Sequence, residues 1–167
     1  ASSAPATVTL TVQPANNAPS FLGGDGKLLQ AVGAGDDYAQ GMVLQPDGRI
    51  VLAGSSFNGA GNDFSLVRFN TDGTLDSLFG TGGRVIVPIT GDDVANGVTL
   101  QADGKIVVVG QGQDSNFSDS DYRVVRLNAN GTLDEAFGDG GTVRLPVHPS
   151  NDVAYRAIAL ADGTSAV

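Results

Sequence analysis

Paired aspartates stand in two turn-like stretches of the sequence and are the first candidates for chemistry. Asp36 and Asp37 form one pair, and Asp92 and Asp93 form the other, each pair preceded by a glycine. Carboxylates in such turns are oxygen ligands of the kind that Ca²⁺ prefers. The interpretation we favour is that these carboxylates cap the turns and face solvent, because the sequence contains no complete calcium-binding loop of the helix–loop–helix type, and no cofactor is expected. A Ca²⁺ ion bound by the two pairs is the alternative.

A sequence motif that occurs twice, which we call the phrase, carries the other candidate residues. The first phrase occupies residues 66–80, and the second phrase, with the same pattern of arginine, asparagine, glycine, aspartate and phenylalanine, occupies residues 124–138. Arg68 and Arg126 stand at equivalent places in the two phrases, 58 positions apart. A fixed period of this size indicates a repeat protein, whose units bury their apolar faces against one another.

The arginines of the two phrases are interpreted as structural ties. Arg68 and Arg126 have apolar neighbours on both sides in the sequence, and an arginine in such surroundings usually pairs with a carboxylate. Asp76 and Asp134, which belong to the same phrases, are the expected partners. Ligand binding in the groove of an assembled polymer is the alternative role.

The aromatic residues and glycines of the phrases also have predicted structural roles. Phe79 and Phe137 are expected to fill the space between adjacent units, since an aromatic residue that recurs at the repeat period belongs first to the core. Gly73 and Gly131 are expected to adopt the left-handed conformation that their turns require. The polar residues around them also fit a cation loop, but one position is an acid in the first phrase and an amide in the second, which favours a turn.

Short strands joined by tight turns must position these residues. Asp-Gly stands between two apolar runs at residues 42–53 and again at residues 98–109, which predicts a β-hairpin in each unit. Further strands are predicted at residues 63–70, 84–87, 121–128 and 142–145. Because the 167 residues include 24 glycines and no long helical pattern, an all-β fold is expected.

Four short antiparallel strands in each unit make the unit the size of a propeller blade. Units written from one phenylalanine to the next span residues 21–78, 79–136 and 137–167, and the third unit is incomplete. The predicted repeat domain is therefore residues 21–167, after an N-terminal extended strand and linker at residues 1–20. The alternative to propeller-type blades is a β-sandwich, since a propeller usually needs about four blades to close.

The hairpin and the phrase together resemble a known family. The run L-Q-P-D-G-R-I-V-L-A-G at residues 44–54, followed by D-F-S-L-V-R-F-N-T-D-G-T-L-D-S-L-F-G at residues 63–80, is similar to the delta-60 repeat family of bacterial proteins. The resemblance covers residues 21–167. It implies a propeller-like repeat fold and brings no established activity with it.

The N-terminal stretch has a different pattern. Residues 6–12 alternate strictly, with Val8, Leu10 and Val12 on one face and threonines on the other, which predicts a half-buried strand. With the linker at residues 13–20, this strand resembles the last strand and exit linker of a bacterial immunoglobulin-like or cadherin-like module. An unfinished third unit leaves an open sheet edge, so we expect this strand to be donated to a neighbouring subunit. The alternative is that the chain is a fragment of a longer protein.

The composition limits the partners of the protein. There are 18 acidic and 9 basic residues, a net charge of -9, which argues against nucleic acid and anionic membranes as partners. No apolar run is long enough to insert into a membrane, and the absence of cysteine excludes disulfides and thiolate chemistry. An acidic, cysteine-free and glycine-rich chain is typical of secreted bacterial surface proteins.

These features predict a non-enzymatic structural protein of a bacterial extracellular surface, fibre or matrix. Its subunits are expected to form a homo-oligomer or a head-to-tail polymer. His148 is the only histidine and has no counterpart in the repeats, so no catalytic triad is indicated. The alternative function is a carbohydrate- or ligand-binding module of a larger secreted adhesin, assisted by Ca²⁺.

Overall fold

The computed structural model describes residues 30–89, 91–113, 119–147, 150–159 and 165–166. The predicted N-terminal strand with Val8, Leu10 and Val12, the linker after it and His148 lie outside the described residues. In the part of the chain that is described, no helix is long and apolar enough to cross a membrane.

Two antiparallel four-stranded sheets make up most of the described fold. The first sheet, blade 1, contains β1 (Asp37–Leu44), β2 (Ile50–Phe57), β3 (Asn62–Phe69) and β4 (Arg84–Val87), in that spatial order. The second sheet, blade 2, contains β5 (Asp93–Leu100), β6 (Ile106–Gln113), β7 (Ser120–Leu127) and β8 (Thr142–Leu145), in the same order. A short antiparallel pair, β9 (Ile158–Ala159) and β10 (Ser165–Ala166), follows blade 2. The prediction of an all-β fold with four-stranded, propeller-type blades is confirmed.

The hairpin at the start of each blade follows from its Asp-Gly turn. Gly48 has a φ of +83° and its N–H donates to the Gln45 carbonyl over 2.9 Å, which closes the turn between β1 and β2. Gly104 has a φ of +84° at the equivalent place between β5 and β6. Glycine adopts this left-handed conformation without the steric cost that a Cβ would bring. Strands β1 and β5 are longer than predicted, because they already begin at Asp37 and Asp93.

The outer strand of each blade comes from the next sequence unit. Strand β4 follows Phe79, where the second unit was taken to begin, yet it pairs with β3 in blade 1, with Phe64 opposite Val87. The phrase between β3 and β4 folds back on itself, and the Arg68 N–H donates to the Gly83 carbonyl over 3.0 Å. Blade 2 repeats this arrangement with β7 and β8. Each sheet therefore takes three strands from one unit and its fourth strand from the unit that follows.

The core lies between the two blades. The alternation of side chains along each strand gives a blade two faces; we call the face of blade 1 that meets blade 2 its forward face, and the opposite face its back face. Buried residues of the forward face of blade 1 are Val51, Ala53, Phe64, Leu66 and Val87. They pack against the back face of blade 2, with Ala95, Ile106, Val108, Val125 and Leu127. A second cluster covers part of the forward face of blade 2, where Ala154 packs with Val107, Val109 and Val124.

Candidate functional site

The arginine of the first phrase is bound on two sides. Arg68 Nε and Nη2 each lie 2.8 Å from Asp76 Oδ2, and the guanidinium carbon lies 4.5 Å from the centre of the Phe79 ring. The backbone brings the pair together, because the Asp76 N–H donates to the Arg68 carbonyl over 2.9 Å. An arginine held between a carboxylate and an aromatic face gains both ion-pair and cation–π energy.

The second phrase repeats this geometry. Arg126 Nε lies 2.7 Å from Asp134 Oδ2, and its guanidinium carbon lies 4.3 Å from the centre of the Phe137 ring. The partners expected from the sequence are thus the residues that the structure brings together in both phrases. Arg126 is more accessible than Arg68, with a side-chain exposure of 21% against 7%.

A second cation reaches each of these aspartates from the hairpin. Arg49 Nε lies 3.3 Å from Asp76 Oδ2, and Lys105 Nζ lies 3.1 Å from Asp134 Oδ2. The hydrogen bond from Lys105 is the main reason that the pKa of Asp134 lies below its usual value; Arg126 adds to the effect, and burial opposes it. The sequence-based reasoning missed these cations, although a basic residue directly after both Asp-Gly turns was the available signal.

The two phrases also meet each other across the seam between the blades. Arg68 Nη1 donates to the main-chain carbonyl of Ala129, and the Gly80 N–H donates to the Asn130 carbonyl over 2.8 Å. Phe79 is fully buried at this seam. A Cβ on Gly131 would lie 2.9 Å from Phe79 Cε2, so the turn of the second phrase rests directly on the ring.

The phrase turns are closed by their own polar side chains. Gly73 and Gly131 have φ values of +84° and +88°. In the first phrase, Asp72 Oδ1 accepts a hydrogen bond from the Thr74 N–H over 2.9 Å, and its hydrogen bonds with Thr74 lower the pKa of Asp72. In the second phrase, Asn130 Oδ1 accepts from the Thr132 N–H over 3.1 Å. Asp72 and Asn130 therefore accept equivalent hydrogen bonds in the two turns.

The first acidic pair lies where the chain enters blade 1. Asp36 is exposed, whereas the carboxylate of Asp37 accepts hydrogen bonds from the Val32 N–H over 2.9 Å and the Gly33 N–H over 3.0 Å. Burial raises the pKa of Asp37, but the nearby Ser56 hydroxyl and the two N–H groups outweigh it, so that the pKa lies below its usual value. Asp37 therefore caps the loop before β1.

The second acidic pair lies at the seam between the blades. Asp92 Oδ1 accepts hydrogen bonds from the main-chain and side-chain N–H groups of Asn62, each over 2.8 Å, and so ties the start of β3 to the turn before β5. Asp93 is fully buried, and neither of its carboxylate oxygens accepts a hydrogen bond from the residues that the structure describes. Its Oδ1 lies 3.5 Å from Arg123 Nε.

The buried carboxylate of Asp93 has an unusual pKa. Burial raises the pKa to about 7; the charge of Arg123 opposes this rise, and the charges of Asp63 and Asp92 add to it. The side chain fits only because position 112 is a glycine, since a Cβ there would overlap Asp93 Oδ1. Arg123 could not be predicted from the repeat pattern, because blade 1 has Ser65 at the equivalent place.

The structure places the two acidic pairs at the starts of different strands, β1 and β5. Within the described ranges, no three acidic or histidine side chains are grouped as ligands for one metal ion. Asp37 and Asp92 instead bind main-chain N–H groups. Calcium binding by Asp36, Asp37, Asp92 and Asp93 stays a prediction.

Successive four-stranded antiparallel blades, joined through the same arginine–aspartate–phenylalanine arrangement, define a propeller-like repeat protein. The model of a β-propeller domain of unknown function (DUF5122) matches residues 45–79 and 101–137. The two matched segments begin at equivalent glutamines beside the hairpin turn and end at equivalent phenylalanines of the two phrases. None of the curated proteins compared with the chain matches it.

Proposed function

We propose that the protein is a non-enzymatic structural component of a bacterial extracellular surface, fibre or matrix. The observation that carries the proposal is that the charged residues of the repeated phrases are engaged with one another, as in the contacts of Arg68 with Asp76 and of Arg126 with Asp134. Charged groups held in this way stiffen the repeat. The resemblance of residues 44–80 to the bacterial delta-60 repeats also supports a structural role.

The subunits are proposed to join through donation of the N-terminal strand to a neighbour. In the described topology, β1 and β4 lie at the edges of blade 1, and β5 and β8 lie at the edges of blade 2. An edge strand presents N–H and C=O groups that another strand can pair with. The alternating segment at residues 6–12 is closer in length to β1, which has 8 residues, than to β4, which has 4. Its resemblance to the last strand of an immunoglobulin-like or cadherin-like module fits such a role.

Electron microscopy of the purified protein tests the donated strand. Deletion of residues 1–13 is expected to abolish fibres, because the strand that joins the subunits is removed. Replacement of Val8, Leu10 and Val12 by asparagine should have the same effect without shortening the chain. The matched control replaces the threonines of the other face by serine and should leave the fibres intact. Fibres that persist after the deletion would contradict strand donation.

A second candidate function is a carbohydrate- or ligand-binding module of a larger secreted adhesin, in which Ca²⁺ assists ligand binding. The observation that favours it is the buried Asp93 carboxylate, whose oxygens accept no hydrogen bond from the described residues. Thermal unfolding in EDTA and in excess Ca²⁺ tests the cation, because a ligand that binds the native state raises the unfolding midpoint. An unchanged midpoint argues against the cation, and a glycan array without a positive signal argues against the module.

A further inference from the structure

Exposed apolar side chains are concentrated at the two ends of the described structure. Ten large hydrophobic side chains are exposed among the described residues, and seven of them lie at these ends. Three are on β1 of blade 1: Tyr38, Met42 and Leu44. Four lie on or after β8, and we call them the far end: Leu145, Val147, Tyr155 and Ile158. Apolar surface that is concentrated in this way marks an interaction site more often than single exposed residues do.

The back face of blade 1 forms an apolar groove. The groove has a volume of about 440 Å³, and its lining includes Met42, Ile50, Leu52, Val67 and Phe69. The equivalent residues of blade 2 are Val98, Ile106, Val108, Val125 and Leu127, which pack in the core beneath blade 1. Ile106 and Val108 are fully buried there, whereas Ile50 and Leu52 are partly exposed. Among the described residues, this type of face is thus buried against the forward face of the preceding blade.

The forward face of blade 2 is less covered than the forward face of blade 1. Val87 is 2% exposed under blade 2, whereas Leu145, its equivalent, is 44% exposed. Phe79 is fully buried, whereas Phe137 is only partly buried. Ala154 covers part of this face, and Ile158, on β9, is 60% exposed beyond it. The far end is therefore a forward-facing surface with room for a partner.

The seam inside the chain shows how such surfaces fit together. It joins a forward face to a back face, and an interface between two different surfaces can repeat from one molecule to the next. We propose that the back face of blade 1 docks on the far end of a second copy, so that copies of this chain associate head to tail. The contact extends the proposed assembly but does not use the donated strand.

The charges at the two ends favour the head-to-tail arrangement over a back-to-back one. Asp36 and Asp37 stand at the start of β1, beside the groove, and Asp37 is one of its lining residues. Arg156 is exposed at the far end, between Tyr155 and Ile158. Head-to-tail docking brings Arg156 towards these aspartates, whereas back-to-back docking offers them only Arg84, which lies on the same face and whose Nε already donates to the Ala31 carbonyl over 2.8 Å.

Sedimentation velocity over a range of concentrations tests the proposal with two variants of a parent chain in which asparagine replaces Val8, Leu10 and Val12, so that strand donation does not contribute. Met42→Glu places a charge on the back face, and Ile158→Glu places one at the far end; each is expected to weaken association more than tenfold. A mixture of the two variants should form a dimer that grows no further, because each variant keeps the surface that the other has lost. The control is Leu78→Glu, a variant at a side chain that is 78% exposed and lies outside both ends; it should associate like the parent chain.

Several outcomes would overturn head-to-tail docking. These are a parent chain that stays monomeric at all concentrations, a Met42→Glu variant that associates like the parent chain, and a mixture that does not restore the dimer. Circular dichroism checks that each variant folds, and Met42→Ser with Ile158→Ser provides a milder pair if a glutamate variant unfolds. The chain without residues 1–13 separates the two assembly proposals: it should form no fibres in electron micrographs, yet it should still associate reversibly through the end surfaces in sedimentation velocity. Loss of that reversible association would overturn head-to-tail docking.

Discussion

Arg68 donates a hydrogen bond to the main-chain carbonyl of Ala129 and thereby joins the two copies of the repeated phrase. The same guanidinium binds Asp76 and lies over Phe79, so one side chain links the turn of its own phrase to the turn of the next. Each phrase is therefore stabilised in part by contacts with the phrase that follows it. The seam between the blades is held by polar contacts as well as by apolar packing.

Replacement of Arg68 tests how much this link stabilises the fold. Arg68→Met removes the partner of a buried carboxylate and the hydrogen bond to Ala129, and Arg49 is left at a longer distance from Asp76. Breaking a buried ion pair from one side is strongly destabilising, and we expect the free energy of unfolding to fall by about 3 kcal/mol. Chemical denaturation with urea measures the change.

Arg126→Met is the matched control for Arg68→Met. It removes the same contacts within a phrase, but the Arg126 side chain is more exposed and makes no described hydrogen bond to a further turn. A loss of about 1 kcal/mol is expected, because solvent screens a partly exposed ion pair. Equal losses for the two variants would show that the contact across the seam contributes nothing.

Gly131→Ala is expected to disturb the seam from the other side. Gly131 has a φ of +88°, and an added Cβ would lie 2.9 Å from both Phe79 Cε2 and the Gly80 nitrogen. Backbone strain and overpacking together should lower the free energy of unfolding by about 3 kcal/mol. The control is Gly140→Ala, where φ is +59° but no described atom beyond the two adjacent residues lies within 4 Å of the added Cβ. It should cost only about 1 kcal/mol, and an equal loss at both positions would count against close packing of the turn on the ring.

Asp93 predicts a pH dependence of stability. Its pKa in the folded protein is about 7 and its ordinary value is 3.8, so between these values the folded state holds a proton that the unfolded state has released. The contribution of this group to the free energy of unfolding is therefore most favourable below pH 3.8. It decreases as the pH rises to about 7 and is constant above that. The slope should approach about 1.4 kcal/mol per pH unit inside this window.

The variant Asp93→Asn isolates the contribution of this carboxyl. An amide does not titrate, so the difference in unfolding free energy between the variant and the wild type should change across the window from pH 3.8 to about 7. Asp36→Asn, at an exposed carboxyl, is the control and should leave the curve of the wild type unchanged. A constant difference between Asp93→Asn and the wild type would mean that Asp93 titrates normally.

Lys105 is expected to control the ionisation of Asp134. The hydrogen bond from Lys105 is the largest of the effects that lower the pKa of Asp134, so Lys105→Met should raise that pKa, and Lys105→Arg should largely preserve it. Because a lowered pKa stabilises the fold above the ordinary value and this stabilisation is lost as the pH falls, the methionine variant should lose stability at neutral pH but not in strong acid. Carbon-detected NMR titration of the Asp134 carboxyl measures the shift. An unchanged pKa in Lys105→Met would contradict the assigned cause.

The sequence predicted the local part of this structure well. The Asp-Gly turns at Gly48 and Gly104 specify hairpins by their own chemistry, and the structure has them. The partner of Arg68 was also predictable, because Asp76 belongs to the same phrase and the turn between them reverses the chain. These features depend on residues that are near one another in sequence, where turn preference and charge pairing act directly.

The contacts between repeats could not be predicted from local sequence patterns. Nothing in the local pattern indicates that Arg68 binds the carbonyl of Ala129, since every residue offers a main-chain carbonyl. The sequence pattern of Asp92 and Asp93 also does not show that Asp92 ties two blades together and that Asp93 is buried beside Arg123. Burial of this kind depends on how whole sheets stack, which a single strand pattern does not specify.

The sharing of strands between units changes what a break in the chain would do. Cleavage between Leu78 and Phe79, at the boundary of two sequence units, would separate β4 from the other three strands of blade 1. The two fragments would remain held together by the ladder between β3 and β4 and by Arg68 with its partner Ala129. A protease nick at the exposed Leu78 should therefore leave the protein migrating as one species until it is denatured, and a piece meant to fold alone must end after Val87.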